Sequence, residues 1–439
     1  MTTKTLPDLV PDAELTLPRQ AERKLPNGLT VIAIRRESVP LVEVRLRIPF
    51  GRAPLAAATL LSQSLFTGTA TMTMLDIAAE LQAVGGGLAA GTDPDRLQIS
   101  GNALVDGLPR TLEILAGVLT GAAYPGEEVV TERERLVDNI QVALSQPAHL
   151  ARVALLKRMY LTHPYAVQTP APEDVRAVEP EALRELHADR VRPGGAVLVL
   201  VGDIDPEQAI DVAEKTLGGW TGEARDGDIP PTPALQPGPL LLVDRPGSVQ
   251  SSLRIALPAL TRTDPDYAAL TLANLVFGGY FSSRWVENIR EDKGYTYGSH
   301  SVVEHFVAGS ALLAAADVAT EVTGPSLLET SYELGRIASL PPGEEELEQA
   351  RRYALGTLRL GMSTQAGLAG VASVYAGFGL RLEHLREHSA ALAAATREQV
   401  AEVAARHLAP SRAVIVVLGD AEKIEGQLAA LTVVERSAQ

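Results

Sequence analysis

The 439-residue chain has an ordinary globular composition, 46% hydrophobic and 21% charged, and is long enough for two to four compact domains. Its 39 basic and 54 acidic residues give a net charge of 39 − 54 = −15, which repels phosphate backbones and argues against nucleic acid as a partner. With no cysteine, disulfides and thiolate metal sites are excluded, and eight histidines remain as possible metal ligands.

The first twenty residues, MTTKTLPDLVPDAELTLPRQ, hold no apolar run, and no stretch of about eighteen apolar residues follows. The expectation is a cytoplasmic chain without a membrane anchor. Residues 29–34 (LTVIAI) read as a short strand, and 42–48 (VEVRLRI) as a half-buried one, with Val42, Val44, Leu46 and Ile48 on one face. Helical periodicity follows at 74–84, 106–119 and 127–144, and the apolar run 196–203 (AVLVLVGD) ends in Gly-Asp. Residues 222–239 carry five prolines, Pro230, Pro231, Pro233, Pro237 and Pro239, which oppose both helix and central strand. This segment reads as a linker.

Beyond it the pattern repeats. A short strand at 240–243 (LLLV) precedes the alternation of Leu253, Ile255 and Leu257. A helical stretch covers 344–360, and 413–420 (AVIVVLGD) again ends in Gly-Asp, 419 − 202 = 217 residues after the first. The expected architecture is α+β: two homologous domains, 1–221 and 240–439, each a mainly antiparallel sheet with helices packed on one face.

Three stretches, in order, carry a resemblance: 25–52 (LPNGLTVIAIRRESVPLVEVRLRIPFGR), 191–208 (VRPGGAVLVLVGDIDPEQ, after HPYA at 163–166) and 276–298 (VFGGYFSSRWVENIREDKGYTYG). Together they resemble the insulinase/pitrilysin-type zinc peptidases, including the mitochondrial processing peptidases, over about residues 17–428. The resemblance implies two homologous domains per chain and a clam-like chamber formed by two chains or two fused halves.

Active members of that family carry His-x-x-Glu-His on a helix. Histidines at i and i+4 share one helical face for Zn²⁺, the Glu acts as base on the metal-bound water, and a distal Glu completes the ligands. Here the resemblance places Thr59 and Gln63 at the histidines, Ser62 at the base and Asn139 at the distal Glu. Neutral hydroxyls and amides do not replace imidazole and carboxylate, so no zinc is expected on this chain. The literal motif does occur at 384–388 (HLREH), but in the second half, where a third ligand some seventy residues on would fall beyond Gln439. It reads as a charged, solvated helix or loop. His149, His187 and His407 read as surface residues and His163 as a loop-packing residue. His300 and His305 lie on a strand, either facing the chamber or as satisfied or solvent-facing strand histidines.

In NIREDKGYTYG, Gly294 fits the left-handed stop after a helix, and a strand follows. Arg290 and Tyr297 match the family's Arg/Tyr pair, whose implied role is to hold substrate and stabilise the oxyanion of a zinc site in another half. On residue types alone, Arg290 pairing with an acid such as Glu287 beside a half-buried Tyr297 is the alternative. Gly85, Gly86 and Gly87 fall where the family has a substrate-pairing edge strand, or form a plain turn. The resulting expectation is a non-catalytic subunit of a heterodimeric zinc endopeptidase. A homologous partner would supply His-x-x-Glu-His and the zinc, and a peptide would be the substrate. Two alternatives stand beside it: a scaffold or peptide-binding homodimer without zinc, and an enzyme using His384 and His388.

Overall fold

A computed structural model describes residues 15–223 and 229–437; residues 224–228 of the expected linker lie outside the described residues. The first half contributes strands β1 (Gln20–Lys24), β2 (Thr30–Arg35), β3 (Leu41–Pro49), β4 (Gly87–Thr92), β5 (Arg96–Leu104) and β6 (Val197–Gly202). Its helices are α1 (Leu55–Ser64), α2 (Met74–Ala83), α3 (Leu108–Gly121), α4 (Gly126–Ser145), α5 (Pro147–Tyr160), α6 (Pro172–Arg176), α7 (Pro180–Arg190) and α8 (Pro206–Leu217). The second half contributes β7 (Leu240–Asp244), β8 (Gln250–Pro258), β9 (Thr296–Phe306), β10 (Gly309–Ala319), β11 (Val414–Gly419) and β12 (Val434–Arg436). Its helices are α9 (Tyr267–Asn274), α10 (Arg284–Val286), α11 (Thr323–Ser339), α12 (Glu344–Gly361), α13 (Gln365–Gly377), α14 (Glu383–Ala394), α15 (Arg397–His407) and α16 (Ala421–Ala429).

These strands form two six-stranded sheets, ordered β1-β2-β6-β3-β5-β4 and β12-β7-β11-β8-β10-β9. Five positions correspond one to one. The inner pairs β2–β6 and β7–β11 are parallel, and the rest of each shared ladder is antiparallel. The sixth position is filled differently: β1 precedes and runs antiparallel to β2, whereas β12 comes from the chain's end and runs parallel to β7. The repeat offset is 250 − 41 = 209 residues at β3/β8 and 414 − 197 = 217 at β6/β11. Much of the difference sits in the β9–β10 hairpin, since the offset is 296 − 87 = 209 at its start and 319 − 104 = 215 at its end.

Each sheet packs its own helices on one face. Val31, Leu198 and Leu200 face the first core, and Leu253, Ile255 and Leu257 the second. The opposite face is covered by a helix of the other half. Leu155, Leu156 and Met159 of α5 pack on Ala256, Leu313 and Val416 of the second sheet. In return Leu368, Ala369, Ala372 and Tyr375 of α13 pack on Ile34, Val199 and Val201 of the first. A strand buried on both faces has no polar face to alternate with. That is why 197–201 and 414–418 read as unbroken apolar runs.

The two hairpin tips meet at the crease between the halves. Asp95, in the β4–β5 turn and 4% exposed, accepts from the Tyr165 hydroxyl at 2.5 Å and the Val307 amide at 2.8 Å. The Ala308 amide donates to the same hydroxyl at 3.1 Å. Burial pushes the Asp95 carboxyl up, outweighing the hydrogen bonds that favour its charge. Close by, Arg152 of α5 forms a bidentate pair with Glu304 of β9, both contacts at 2.9 Å. Among the described residues no helix is long and apolar enough to cross a membrane.

Candidate functional site

Thr59, Ser62 and Gln63 lie on α1, which packs against α4, the helix of Asn139. The Thr59 hydroxyl donates to the Leu55 carbonyl at 2.8 Å and the Ser62 hydroxyl to the Thr59 carbonyl at 2.8 Å. Both are turned back on their own helix. The Gln63 Oε1 is buried without a hydrogen-bond partner, and Asn139 is exposed. This donor set of two hydroxyls and two amides does not fit zinc. Among the described residues no group of three or more His, Cys, Asp or Glu could hold a metal ion.

Thr59 instead lines a cavity of ≈520 Å³ at the crease, walled by α1, the end of β4 and the Arg152–Glu304 pair. Gly85 adopts φ +63° and closes α2; Gly294, 294 − 85 = 209 residues later, adopts φ +66° at the equivalent stop. A Cβ on Gly86 would lie 2.3 Å from the Asn102 carbonyl oxygen, so this residue is held by close backbone approach. Gly87 opens β4, the outermost strand of its sheet, with free space beside it. The run is thus a turn over two residues and an edge strand at the third.

The same offset puts Arg290 and Tyr297 where the first half has 290 − 209 = 81 and 297 − 209 = 88, that is, Leu81 and Leu88. What is apolar packing in one half is polar chemistry in the other. The local backbone differs too: α10 runs into a π-helix at Glu287–Asp292 that carries Arg290. Such wide turns redirect side chains and recur at functional sites. The Arg290 guanidinium sits 4.5 Å from the Phe281 ring centroid and 5.8 Å from that of Tyr297. Its ion-pair partner is Glu291, at 3.0 Å, not Glu287. Tyr297 is not half-buried but 95% exposed, on edge strand β9. Tyr295 lies just before β9. Phe281, Arg290 and Tyr297 line a shallow cavity of ≈350 Å³ with Gly278, Gly279 and His300. The two cavities share no lining residue.

The literal His-x-x-Glu-His lies on helix α14, but its histidines are half-buried rather than fully solvated. His388 stacks on Tyr267 at 5.1 Å, and the His384 and His388 rings lie parallel at 6.5 Å. His384 Nε2 meets the Arg262 carbonyl at 3.2 Å. His305 joins the cluster through the Tyr267 hydroxyl at 3.0 Å and Ser310 Oγ at 2.7 Å, a satisfied strand histidine. His187 corrects the surface reading. It is 9% exposed, with Tyr124 Oη at 2.8 Å and the Leu119 carbonyl at 2.9 Å. It stands in the last turn of α7, and the buried polar partners that hold it come from distant residues. His163 does serve loop packing, bridging the Tyr165 amide and the Pro230 carbonyl.

Burial, with Arg262 and a neighbouring histidine, lowers His305 to about 3 and His388 to about 4. Both are neutral in the fold at pH 7. Below the ordinary histidine value the unfolded chain takes up protons that the fold refuses, so stability is present above about pH 6.5 and falls as pH drops toward the folded values. The slope is roughly 1.4 kcal/mol per pH unit for each histidine. The apparent melting temperature should therefore fall from pH 7 to pH 5, and His388→Gln should flatten that fall. An equal pH slope in the variant would contradict the assignment.

Two family models match in succession. Residues 54–173 match "Insulinase (Peptidase family M16)" and residues 177–353 match "Peptidase M16 inactive domain". An uncharacterised zinc protease of Mycobacterium leprae (strain TN) is 26% identical over 347 residues, covering 77% of each chain. A protein of Bacillus subtilis (strain 168) described as a probable inactive metalloprotease is 28% identical over 213 residues, 45% of this chain and 48% of that one. A peptidase M16 inactive domain from Pseudomonas fluorescens superposes with TM-score 0.83 at 24% identity, covering 91% of this chain and 98% of its own. A protease from Helicobacter pylori superposes with TM-score 0.82 at 17% identity, covering 92% and 100%. The two repeated α+β halves and these matches agree: the chain belongs to the insulinase (M16) peptidase family.

Proposed function

We propose that this chain is the non-catalytic subunit of a heterodimeric zinc endopeptidase. It forms half of a peptide chamber and lends Arg290 and Tyr297 to the zinc site of a homologous partner that carries an intact His-x-x-Glu-His. The reading rests above all on one observation: a guanidinium and a phenol are presented together at a solvent-open cavity on a chain whose own metal positions do not fit zinc. Two hydrogen-bond donors of this kind suit an oxyanion and a substrate carbonyl, provided the electrophile comes from elsewhere. The free edge of β4, with open space beside Gly87, suits an extended peptide added as a further strand. The proposed compartment is the cytoplasm.

The test is to purify a tagged copy from its own cells with whatever binds it, and to measure zinc and peptidase activity together. About one zinc per pair of chains is expected, with hydrolysis of an unstructured fluorogenic peptide by the complex and none by the isolated chain. A zinc-free homodimer would overturn the proposal in favour of a scaffold role. Stoichiometric zinc on the isolated chain would overturn it in favour of an enzyme in its own right.

A further inference from the structure

The fold leaves open what aims Arg290. Glu291 touches it at 3.0 Å but is itself about half exposed, so solvent screens that pair and two mobile side chains share it. The better-placed partner is a ring. The Phe281 centroid lies 4.5 Å from the guanidinium carbon, and Tyr297 stands farther off at 5.8 Å. At 62% exposure Phe281 buries little surface, so core packing does not account for a large aromatic there. Its backbone position is nevertheless firmly set. It follows a π-helical segment at Leu275–Gly279. A Cβ on Gly278 would come within 2.9 Å of both Trp285 and Ser301, and one on Gly279 within 2.8 Å of Asn274. Trp285 in turn is fully buried, stacked on Phe277 at 5.4 Å and hydrogen-bonded to Thr330 at 3.0 Å. Two glycines and a rigid indole thus hold the loop that places Phe281, while the second π-helix places Arg290 beside it.

We propose that Phe281 is a positioning residue for Arg290. Its ring face attracts the guanidinium and fixes the direction in which its N–H groups point toward the reacting carbonyl. The role is specific to an aromatic face. A leucine would keep the apolar surface and lose the attraction, whereas a tyrosine would keep both. The proposal rests on the reading of Arg290 given above, and its test separates the two.

In the isolated chain, phenylglyoxal modification of Arg290, followed by peptide mapping, reports how firmly the guanidinium is covered. The rate should rise several-fold in Phe281→Leu and stay near wild type in Phe281→Tyr. In the purified complex, Phe281→Leu should lower kcat by roughly 5- to 30-fold with little change in KM. Phe281→Tyr should restore it, and adding Phe281→Leu to Arg290→Ala should cost nothing further. An unchanged modification rate in Phe281→Leu overturns the proposal, as does a Tyr variant as slow as the Leu variant. Faster modification alongside a catalytically silent Arg290→Ala would leave the aromatic hold standing and overturn the reading of Arg290 itself.

Discussion

On the proposed reading, replacing Arg290 by alanine should lower kcat of the complex with the zinc-bearing partner by roughly 10²–10³, the usual loss when one preorganised oxyanion donor is removed. The loss should fall on kcat more than on KM, because the donor is needed where charge develops in the transition state rather than where substrate first binds. Lysine should not restore it. An ammonium has no planar fork and does not lie on a ring face as a guanidinium does, and Phe281 and Tyr297 flank a guanidinium here. The isolated variant should keep its fold, since Arg290 makes one screened ion pair and two ring contacts at the surface. Steady-state kinetics of wild-type and variant complexes at equal zinc content decide the matter. A variant complex with wild-type kcat would remove Arg290 from the mechanism.

The second large effect concerns stability. Asp95→Ala should destabilise the chain by about 2–4 kcal/mol, because it leaves the buried Tyr165 hydroxyl and the part-buried Val307 amide without an acceptor at once. The Val307 amide and the Tyr165 hydroxyl both point at that carboxylate, and Tyr165 is fully buried. Asparagine retains one carbonyl oxygen and should lose about half as much. Urea unfolding measures the difference directly. A shift below about 0.5 kcal/mol, the range of ordinary surface substitutions, would mean that the junction does not depend on Asp95. Since Asp95 and Val307 come from opposite halves, the variant also tests whether the two hairpin tips bind the halves together.

Much of this architecture was legible in the sequence. The alternation at 42–48 and at Leu253, Ile255 and Leu257 marks β3 and β8, and the paired Gly-Asp endings mark β6 and β11. Helical periodicity gave α2, α3, α4 and α12 with ends displaced by only a few residues. Gly294 was readable because a helix stop at positive φ favours glycine. The exchange of α5 and α13 was not legible, since periodicity shows that a helix has an apolar face but not which sheet receives it. The unbroken runs in β6 and β11 did carry a signal, two buried faces, without naming what covers the second. His187 and the stacked His388 were misread for a related reason. A polar residue on a helix looks solvated until its distant partners, Tyr124 and Tyr267, are brought to it. Phe281 could not be singled out, because its contact with Arg290 depends on two π-helical turns that no pattern in the residues announces.

The crossed helices bear on how such a molecule can move. Drawing the halves apart would strip α5 from the second sheet and α13 from the first, exposing Leu155, Leu156, Met159, Leu368 and Tyr375 together. At about 25 cal/mol per Å² of apolar surface, five large side chains amount to several kcal/mol before the hairpin tips are counted. One chain is therefore a rigid jaw rather than a hinge. On the proposed reading, a chamber that opens to admit a peptide opens at the seam between two chains, and the motion that gates it belongs to their association rather than to either fold.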